Sequence, residues 1–201
     1  MINDDQYLIS GYMSDGEASR FYVINEENNT TRYFTLLLEG SDYVGHAGGV
    51  ACYDSTIWIA EGNNGGLCYR ISLADVESVE NAGKINIIDK FETNNGADCV
   101  WVSDGLLWVG EFYRAGNYET KPEHHIVTSS GEQNMAVAYA YIINQDKSTG
   151  VDSIQPVKAL STIGLCQGVA VSSEGKIVLS TSYSISDSTL YYYRNVFVIF
   201  L

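Results

Sequence analysis

The sequence has few basic side chains and no long apolar run. Of its 201 residues, 11 are Lys or Arg and 25 are Asp or Glu, which gives a formal net charge of −14. Phosphate groups are bound mainly by Lys and Arg, so this balance argues against a nucleic-acid binder and against an anionic membrane surface as partner. No apolar stretch approaches the ~20 residues that a membrane-spanning helix needs.

Several catalytic and metal-binding motifs are also missing. The sequence has no Gly-x-Ser-x-Gly elbow, phosphate-binding loop or His-Glu-x-x-His motif, so nucleophilic hydrolases and nucleotide enzymes have no motif to support them. No Cys-x-x-Cys pair occurs, which argues against a zinc ribbon or a thioredoxin-type site. The four cysteines lie in apolar, strand-like segments, where a free cysteine acts as a small hydrophobic residue: Cys52, Cys68, Cys99 and Cys166.

The composition and the two ends of the chain indicate its origin. Scarce Lys with abundant Tyr, Asn, Ser and Thr favours an extracytoplasmic protein. Residues 1–6 have neither the basic nor the apolar region of a secretory signal peptide. Residues 196–201 are all apolar, and such a segment is aggregation-prone unless other structure covers it. We therefore expect both ends to be cut inside structure, with self-association through open edge strands.

An internal repeat is the strongest positive signal. Each copy has an apolar strand, a turn rich in Asp, Ser or Gly, and a second strand, as is typical of a β-hairpin. The three copies span 48–61, 98–111 and 167–181. Trp58 and Trp108 occupy equivalent places, and Leu8 fits the same place in an earlier, incomplete copy. A third strand follows every copy and a fourth follows most, so each unit of about 50 residues carries four strands.

Four strands per repeat predict an all-β fold, either a β-propeller or an open propeller fragment of about three and a half four-stranded blades. A β-sandwich would also have many short strands but would not repeat the same hairpin. With strand a innermost, the predicted order is b-c-d, a-b-c-d, a-b-c-d and a-b-c. The single partial domain, 1–201, then has blade units at about 1–40, 41–92, 93–160 and 161–201. Helical periodicity is nearly absent; we predict a polar turn over 73–81 and a fourth strand over 85–89.

A site is expected on one face of this ring. In an up-and-down blade, strand a starts on the face where strand b ends, so the d-to-a and b-to-c connections share that face, which we name the loop face. Functional residues often lie on long loops held by a rigid scaffold, and here a b-to-c insertion runs over about 112–134. The predicted ligand contacts on the loop face are His46, Asp98, Glu111, Tyr113, Arg114, Tyr118, His125 and Gln167.

The same face carries candidate metal ligands. Carboxylate oxygens of Asp98, Glu111 and Glu61 would suit Ca²⁺ or another divalent cation. Each residue also has a plainer interpretation. Glu61 and Glu111 could be solvated strand ends, and Asp98 could satisfy backbone donors at a turn. His46 could be a hydrogen-bonded channel residue, and of the adjacent pair His124 and His125 only one can easily face a given pocket.

The repeat resembles the blades of the six-bladed propeller superfamily that includes gluconolactonase/senescence-marker proteins and strictosidine-synthase-like proteins. The pattern that carries the resemblance is Gly-Val-Ala, an Asp/Glu-Gly turn and a Trp or Val between hydrophobic residues. In the lactonases, a metal-binding Asn or Asp precedes the Gly of the first strand. Here those places hold Gly48, Asp98 and Gln167. The resemblance thus implies a metal ligand only at Asp98, which is followed by Cys99 where the family has Gly.

Three functions follow from these features. The preferred one is a non-catalytic binding module that recognises a small molecule or a protein partner at its loop face; the aromatic residues and Arg114 of the insertion suit a polar, partly planar or sugar-like ligand. The second is a divalent-metal-dependent lactonase or related hydrolase, in which Asp98 and Glu111 hold a metal that polarises a carbonyl or activates water. The third is an inactive, truncated propeller.

Overall fold

The computed structural model describes residues 2, 5–62, 65–194 and 199–200. Within them, the chain forms four blades, each a sheet of short and mainly antiparallel strands, and one separate two-stranded hairpin. Blade 1 contains β1 (Gln6–Gly11), β2 (Arg20–Asn25), β3 (Thr30–Leu38) and the two-residue β4 (Ser41–Asp42). Blade 2 contains β5 (Gly49–Tyr53), β6 (Thr56–Glu61) and β7 (Leu67–Ser72); after a helix, α1 (Leu73–Ser78), and a short strand, β8 (Gly83–Asn86), it is completed by β9 (Asp89–Glu92).

Blades 3 and 4 follow the same plan. Blade 3 contains β10 (Cys99–Ser103) and β11 (Leu106–Gly110); then come a 3₁₀ turn (Pro122–His124) and a hairpin, β12 (Ile126–Val127) and β13 (Gln133–Asn134), before β14 (Ala136–Ile142) and β15 (Lys158–Thr162). Blade 4 contains β16 (Cys166–Val171), β17 (Ile177–Thr181) and β18 (Thr189–Tyr193). A last short strand, β19 (Ile199–Phe200), pairs with the outer strand of blade 3.

The blades are arranged around one axis. The first strands β5, β10 and β16 lie side by side, and an apolar layer fills the space between each pair of neighbouring sheets. β1 ends where β5 begins, since the Ser10 hydroxyl donates to the Ala47 carbonyl at 2.9 Å. This direction is that of a second strand, so β1, β2 and β3 are strands b, c and d of blade 1, and the two-residue β4 follows them. The predicted all-β propeller fragment is confirmed.

The predicted fourth strand over 85–89 is wrong, because the chain divides that segment between two blades. β8 pairs in parallel with β3 of blade 1, from Phe34 opposite Gly83 to Leu37 opposite Asn86. The chain then crosses over, and β9 pairs with β7 of blade 2. Ile85 is only 3% exposed and lies in the apolar layer between blades 1 and 2. Burial of Ile85 thus holds β8 on the edge of blade 1.

The predicted polar turn over 73–81 is also wrong, since Leu73–Ser78 forms a short helix. Its N-cap is Ser72, whose side chain accepts a hydrogen bond from the Asp75 backbone N–H. Val76 is the buried residue of the helix, and the partly buried Leu73 packs against the same apolar layer between blades 1 and 2. No helix in the described part of the chain has the length and apolarity needed to cross a membrane. Of the apolar residues 196–201, 199 and 200 pair with β15, and the others lie outside the described residues.

Gly48 allows the backbones of blades 2 and 3 to come close together. A Cβ at this position would lie 2.6 Å from the backbone carbonyl oxygen of Asp98, and a backbone atom cannot move aside as a side chain can. We predict that Gly48→Ala lowers the free energy of unfolding by about 1–3 kcal/mol, the range of overpacking substitutions, measured by urea denaturation. Gly168→Ala is the control, because a Cβ there would meet nothing within 4 Å. Equal losses in the two variants would contradict this account.

Candidate functional site

One pocket lies where connections of all four blades meet, and we name it the axial pocket. Its volume is about 310 Å³. Among its lining residues, His46 and Asp98 precede the first strands of blades 2 and 3, and Gln167 is the second residue of β16, the first strand of blade 4. Tyr118 of the long insertion lines it as well. The structure thus brings four of the predicted ligand contacts together on the loop face.

Aromatic rings form much of the wall of the axial pocket. On one side, Tyr12 stacks on His46 with 4.8 Å between the ring centroids. On the other side, Phe112, Tyr118 and Tyr183 form a cluster in which every pair of centroids is 5.5–6.4 Å apart. Tyr118 meets the two other rings at steep angles of 86° and 63°, whereas Phe112 and Tyr183 are closer to parallel. The pocket therefore has ring edges and ring faces available for contact.

Arg114 contacts two residues of this aromatic cluster, Tyr118 and Tyr183. Its backbone N–H donates to the Tyr118 carbonyl, and the Tyr118 N–H donates to the Arg114 carbonyl, both at 2.9 Å. The Arg114 guanidinium carbon lies 3.9 Å from the centroid of the Tyr183 ring, within the range of a cation–π contact. Arg114 thus fixes two pocket rings without lining the pocket itself.

Asp98 is the carboxylate of the axial pocket. It directly precedes β10, and its backbone N–H donates to the Gly110 carbonyl at 2.8 Å. One side-chain oxygen, Oδ2, accepts from the Phe112 backbone N–H at 2.8 Å. Burial raises the pKa of Asp98 to about 7; the charge of Glu111 also raises it, and the Phe112 N–H works in the opposite direction. Asp98 can therefore exchange a proton near neutral pH.

His46 lies across from Asp98 and has an unsatisfied nitrogen. Its Nδ1 atom is buried and has no hydrogen-bond partner among the described residues. A Cβ on Gly62 would lie 2.8 Å from this nitrogen and 3.2 Å from Oδ1 of Asp98. Because Gly62 has no side chain, both polar atoms can approach the same small space beside the pocket.

Glu61 is a buried anchor for His46, which excludes its interpretation as a solvated strand end. The residue is 2% exposed. Its Oε1 accepts from the His46 backbone N–H at 2.9 Å, and its Oε2 accepts from the Tyr43 hydroxyl. Burial raises the pKa of Tyr43, and the hydrogen bond to Glu61 adds to this effect. Glu61 therefore fixes the backbone that presents His46 to the axial pocket.

A second pocket of about 270 Å³ adjoins the first and contains a buried acid–histidine pair. The two pockets share Asp98, Phe112 and Tyr118. Glu111 is 4% exposed, and both of its carboxylate oxygens lie 3.0 Å from Nδ1 of His124. It also accepts from the Val137 backbone N–H at 2.9 Å. Glu111 is thus not a solvated strand end. It is a buried residue whose carboxylate links blade 3 to His124 of the insertion.

The remaining predicted contacts lie away from the two pockets. Tyr113 and His125 face each other edge-on with 6.0 Å between ring centroids, and neither lines the axial or the adjoining pocket. His125 Nε2 lies 3.0 Å from the Thr120 hydroxyl. Of the two adjacent histidines, His124 is therefore the one that faces the site.

The structure does not assemble the predicted metal set of Asp98, Glu111 and Glu61. Glu61 is bonded to Tyr43 and to the His46 backbone, while Glu111 is bonded to His124. In the part of the chain that the structure describes, no three His, Cys, Asp or Glu side chains are grouped so that they could hold a metal ion. Each of the three carboxylates is held by different hydrogen-bond partners, with Asp98 accepting from the Phe112 N–H.

No protein-family model matches this chain, and no curated protein matches it in sequence. Among solved structures, it is similar to the β-propeller domain of Cps50 (Swd1) from Myceliophteria thermophila, with a TM-score of 0.37 and 8% sequence identity. The alignment covers 89% of this chain and 63% of that one, so the chain spans less than two thirds of the length of that structure. The resemblance to the six-bladed superfamily remains a prediction.

The aromatic wall is the part of the site that residue types alone did not reveal. Tyr12, Phe112 and Tyr183 each follow the end of a second strand, in blades 1, 3 and 4 respectively. The rule that places b-to-c connections on the loop face therefore applied to them as well. An aromatic residue just after a second strand, in three of four blades, is the signal that could have identified them.

Proposed function

We propose that this chain is a propeller binding module whose axial pocket takes a small molecule. The observation that carries the proposal is the convergence of aromatic and polar side chains from all four blades on one pocket. Its volume of about 310 Å³ is within the range of small-molecule sites, which are lined mostly by apolar and aromatic groups with a few placed polar ones. Asp98, His46 and Gln167 supply the polar groups.

Binding is preferred to metal-dependent lactone hydrolysis on geometric grounds. The hydrolase hypothesis required Asp98 and Glu111 to share a metal. The Glu111 carboxylate is instead engaged by His124 and by the Val137 backbone N–H. For this reason we prefer ligand recognition to metal-dependent hydrolysis.

Protein-observed NMR with a panel of choline, glucose, glycerol and citrate tests the proposal. We expect at least one of these probes to shift the backbone amide signals of His46 and Phe112, which lie at the pocket. Gln167→Trp places a large ring in the pocket mouth and should abolish those shifts. Ser173→Trp is the matched control, because Ser173 is exposed in the turn between β16 and β17 on the opposite face.

Two outcomes would contradict the proposal. In the first, none of the four probes shifts a pocket signal at any accessible concentration. In the second, Gln167→Trp and Ser173→Trp leave probe binding equally intact, which would place the bound probe elsewhere on the molecule.

A further inference from the structure

The axial pocket combines four carbocyclic rings with one carboxylate. The rings belong to Tyr12, Phe112, Tyr118 and Tyr183, the carboxylate belongs to Asp98, and no Lys or Arg is among the described residues that line the pocket. The faces of aromatic rings carry partial negative charge and attract cations. The ring faces and the Asp98 carboxylate therefore both favour a positively charged ligand.

The surroundings reinforce this negative potential. Glu111 and Glu119 line the adjoining pocket, where Lys121 is the one Lys or Arg among the described lining residues. The chain as a whole has a net charge of −14, which steers cations toward it and repels anions. A carboxylate or phosphate ligand would meet Asp98 with no lining Lys or Arg to pair with.

The positive charge of Arg114 opposes the binding of a cation, but Arg114 does not line the axial pocket. Its guanidinium lies against the Tyr183 ring, outside the residues that line the axial pocket. It is a single positive charge, whereas Asp98 and Glu111 contribute two carboxylates to the two adjoining pockets. Arg114 occupies one face of the Tyr183 ring, so a ligand can use that ring only through its edge or its other face.

Two polar groups of the pocket are already engaged within the protein. The Gln167 amide donates to the Ser182 carbonyl at 3.3 Å, and one oxygen of Asp98 accepts from the Phe112 N–H. A quaternary ammonium ion has no hydrogen-bond donors or acceptors on its charged group, so it can contact the ring faces and the charge of Asp98 without requiring these engaged groups.

Resting on the proposed function, we propose that the axial pocket selects small organic ammonium ions of about the size of choline. The trimethylammonium group contacts the aromatic cluster of Phe112, Tyr118 and Tyr183, and the carboxylate of Asp98 provides the opposite charge.

The test compares choline with 3,3-dimethylbutan-1-ol, which has the same shape but carries carbon in place of the charged nitrogen. NMR titrations at about pH 8, above the pKa of Asp98, give both dissociation constants. We expect choline to bind about tenfold more tightly, the effect of one cation–π and charge contribution in a partly desolvated site.

Asp98→Asn should remove most of this preference and leave the affinity for the neutral alcohol unchanged. Asp54→Asn is the control, because Asp54 is an exposed turn residue.

The outcomes separate the two proposals. If the neutral alcohol, glucose or citrate binds in the pocket as tightly as choline, the pocket binds small molecules but the preference for ammonium is overturned. If choline binds and Asp98→Asn keeps its full preference over the alcohol, the role of Asp98 is overturned. If no probe binds the pocket, both proposals fall.

Discussion

Glu111→Ala should lower the free energy of unfolding by about 3–5 kcal/mol, because it leaves several buried hydrogen-bonding groups without their acceptor, each at a cost of about 1–3 kcal/mol. The Glu111 carboxylate bonds to three separate segments: the loop before β10 through the Gly96 N–H, the insertion through His124, and β14 through the Val137 N–H. Without it, the His124 ring and two backbone donors lose their acceptor in a nearly dry environment, where an unpaired polar group is costly.

Urea denaturation measures this loss, and two variants control it. Glu92→Ala removes a carboxylate from the end of β9, where the side chain is exposed, and should change stability by less than about 0.5 kcal/mol. Glu111→Gln keeps the shape and one acceptor oxygen while it removes the charge, so its loss should lie between those of the two alanine variants. Equal stability of the Glu111 and Glu92 variants would mean that the insertion is not held by this carboxylate.

The fold was predictable from the sequence because its signals are local and repeated. Each hairpin has two short apolar strands and a turn with Asp, Ser or Gly, and three copies reinforce one another. The errors concern segments where a contact between blades decides the outcome. The residues of β8 have the pattern of any outer strand, yet burial of Ile85 between blades 1 and 2 places them on blade 1. The short helix α1 likewise depends on the burial of Val76.

The site was predictable as a face and less so as a set of side chains. Strand order alone placed His46, Asp98 and Gln167 on the loop face, and they line one pocket. Strand order does not determine how an insertion folds. The 3₁₀ turn at Pro122–His124 turns His124 toward Glu111 and leaves His125 beside Tyr113. Strand order therefore could not predict which residue of the insertion contacts Glu111, and the three-dimensional structure was needed to identify it as His124.

Asp98→Asn should stabilise the protein at alkaline pH and have almost no effect at acidic pH. In the folded protein, burial and the charge of Glu111 raise the pKa of Asp98 from 3.8 to about 7. The unfolded chain releases this proton near pH 4, whereas the folded chain holds it until about pH 7. Between these values the folded state binds more protons, so ionisation of Asp98 lowers stability as pH rises. An asparagine cannot ionise and avoids this loss.

Other groups near Asp98 set the size of the effect. Glu111 faces it from the end of β11 and raises its pKa, while the Phe112 N–H lowers it. His46 approaches from the loop before β5. The hydrogen bond to Cys166 and burial raise the pKa of the neighbouring Cys99 thiol, and the charge of Asp98 adds to this effect. A pKa about 3 above its usual value corresponds to about 4 kcal/mol, and the partial exposure of Asp98 reduces this to about 2–4 kcal/mol.

Urea denaturation of the native chain and of Asp98→Asn across about pH 4 to 8 gives the difference between their stabilities directly. We expect a difference near zero at about pH 4 that grows in favour of Asp98→Asn and levels off above the folded pKa of about 7, following the linkage relation. Asp54→Asn shares the chemical change at an exposed turn and should give a flat difference. A flat difference for Asp98→Asn as well would show that the Asp98 carboxylate is solvated.

Choline binding in the axial pocket should lower the pKa of Asp98, because a bound cation favours the ionised carboxylate. Saturating choline should therefore shrink the stability gain of the asparagine variant.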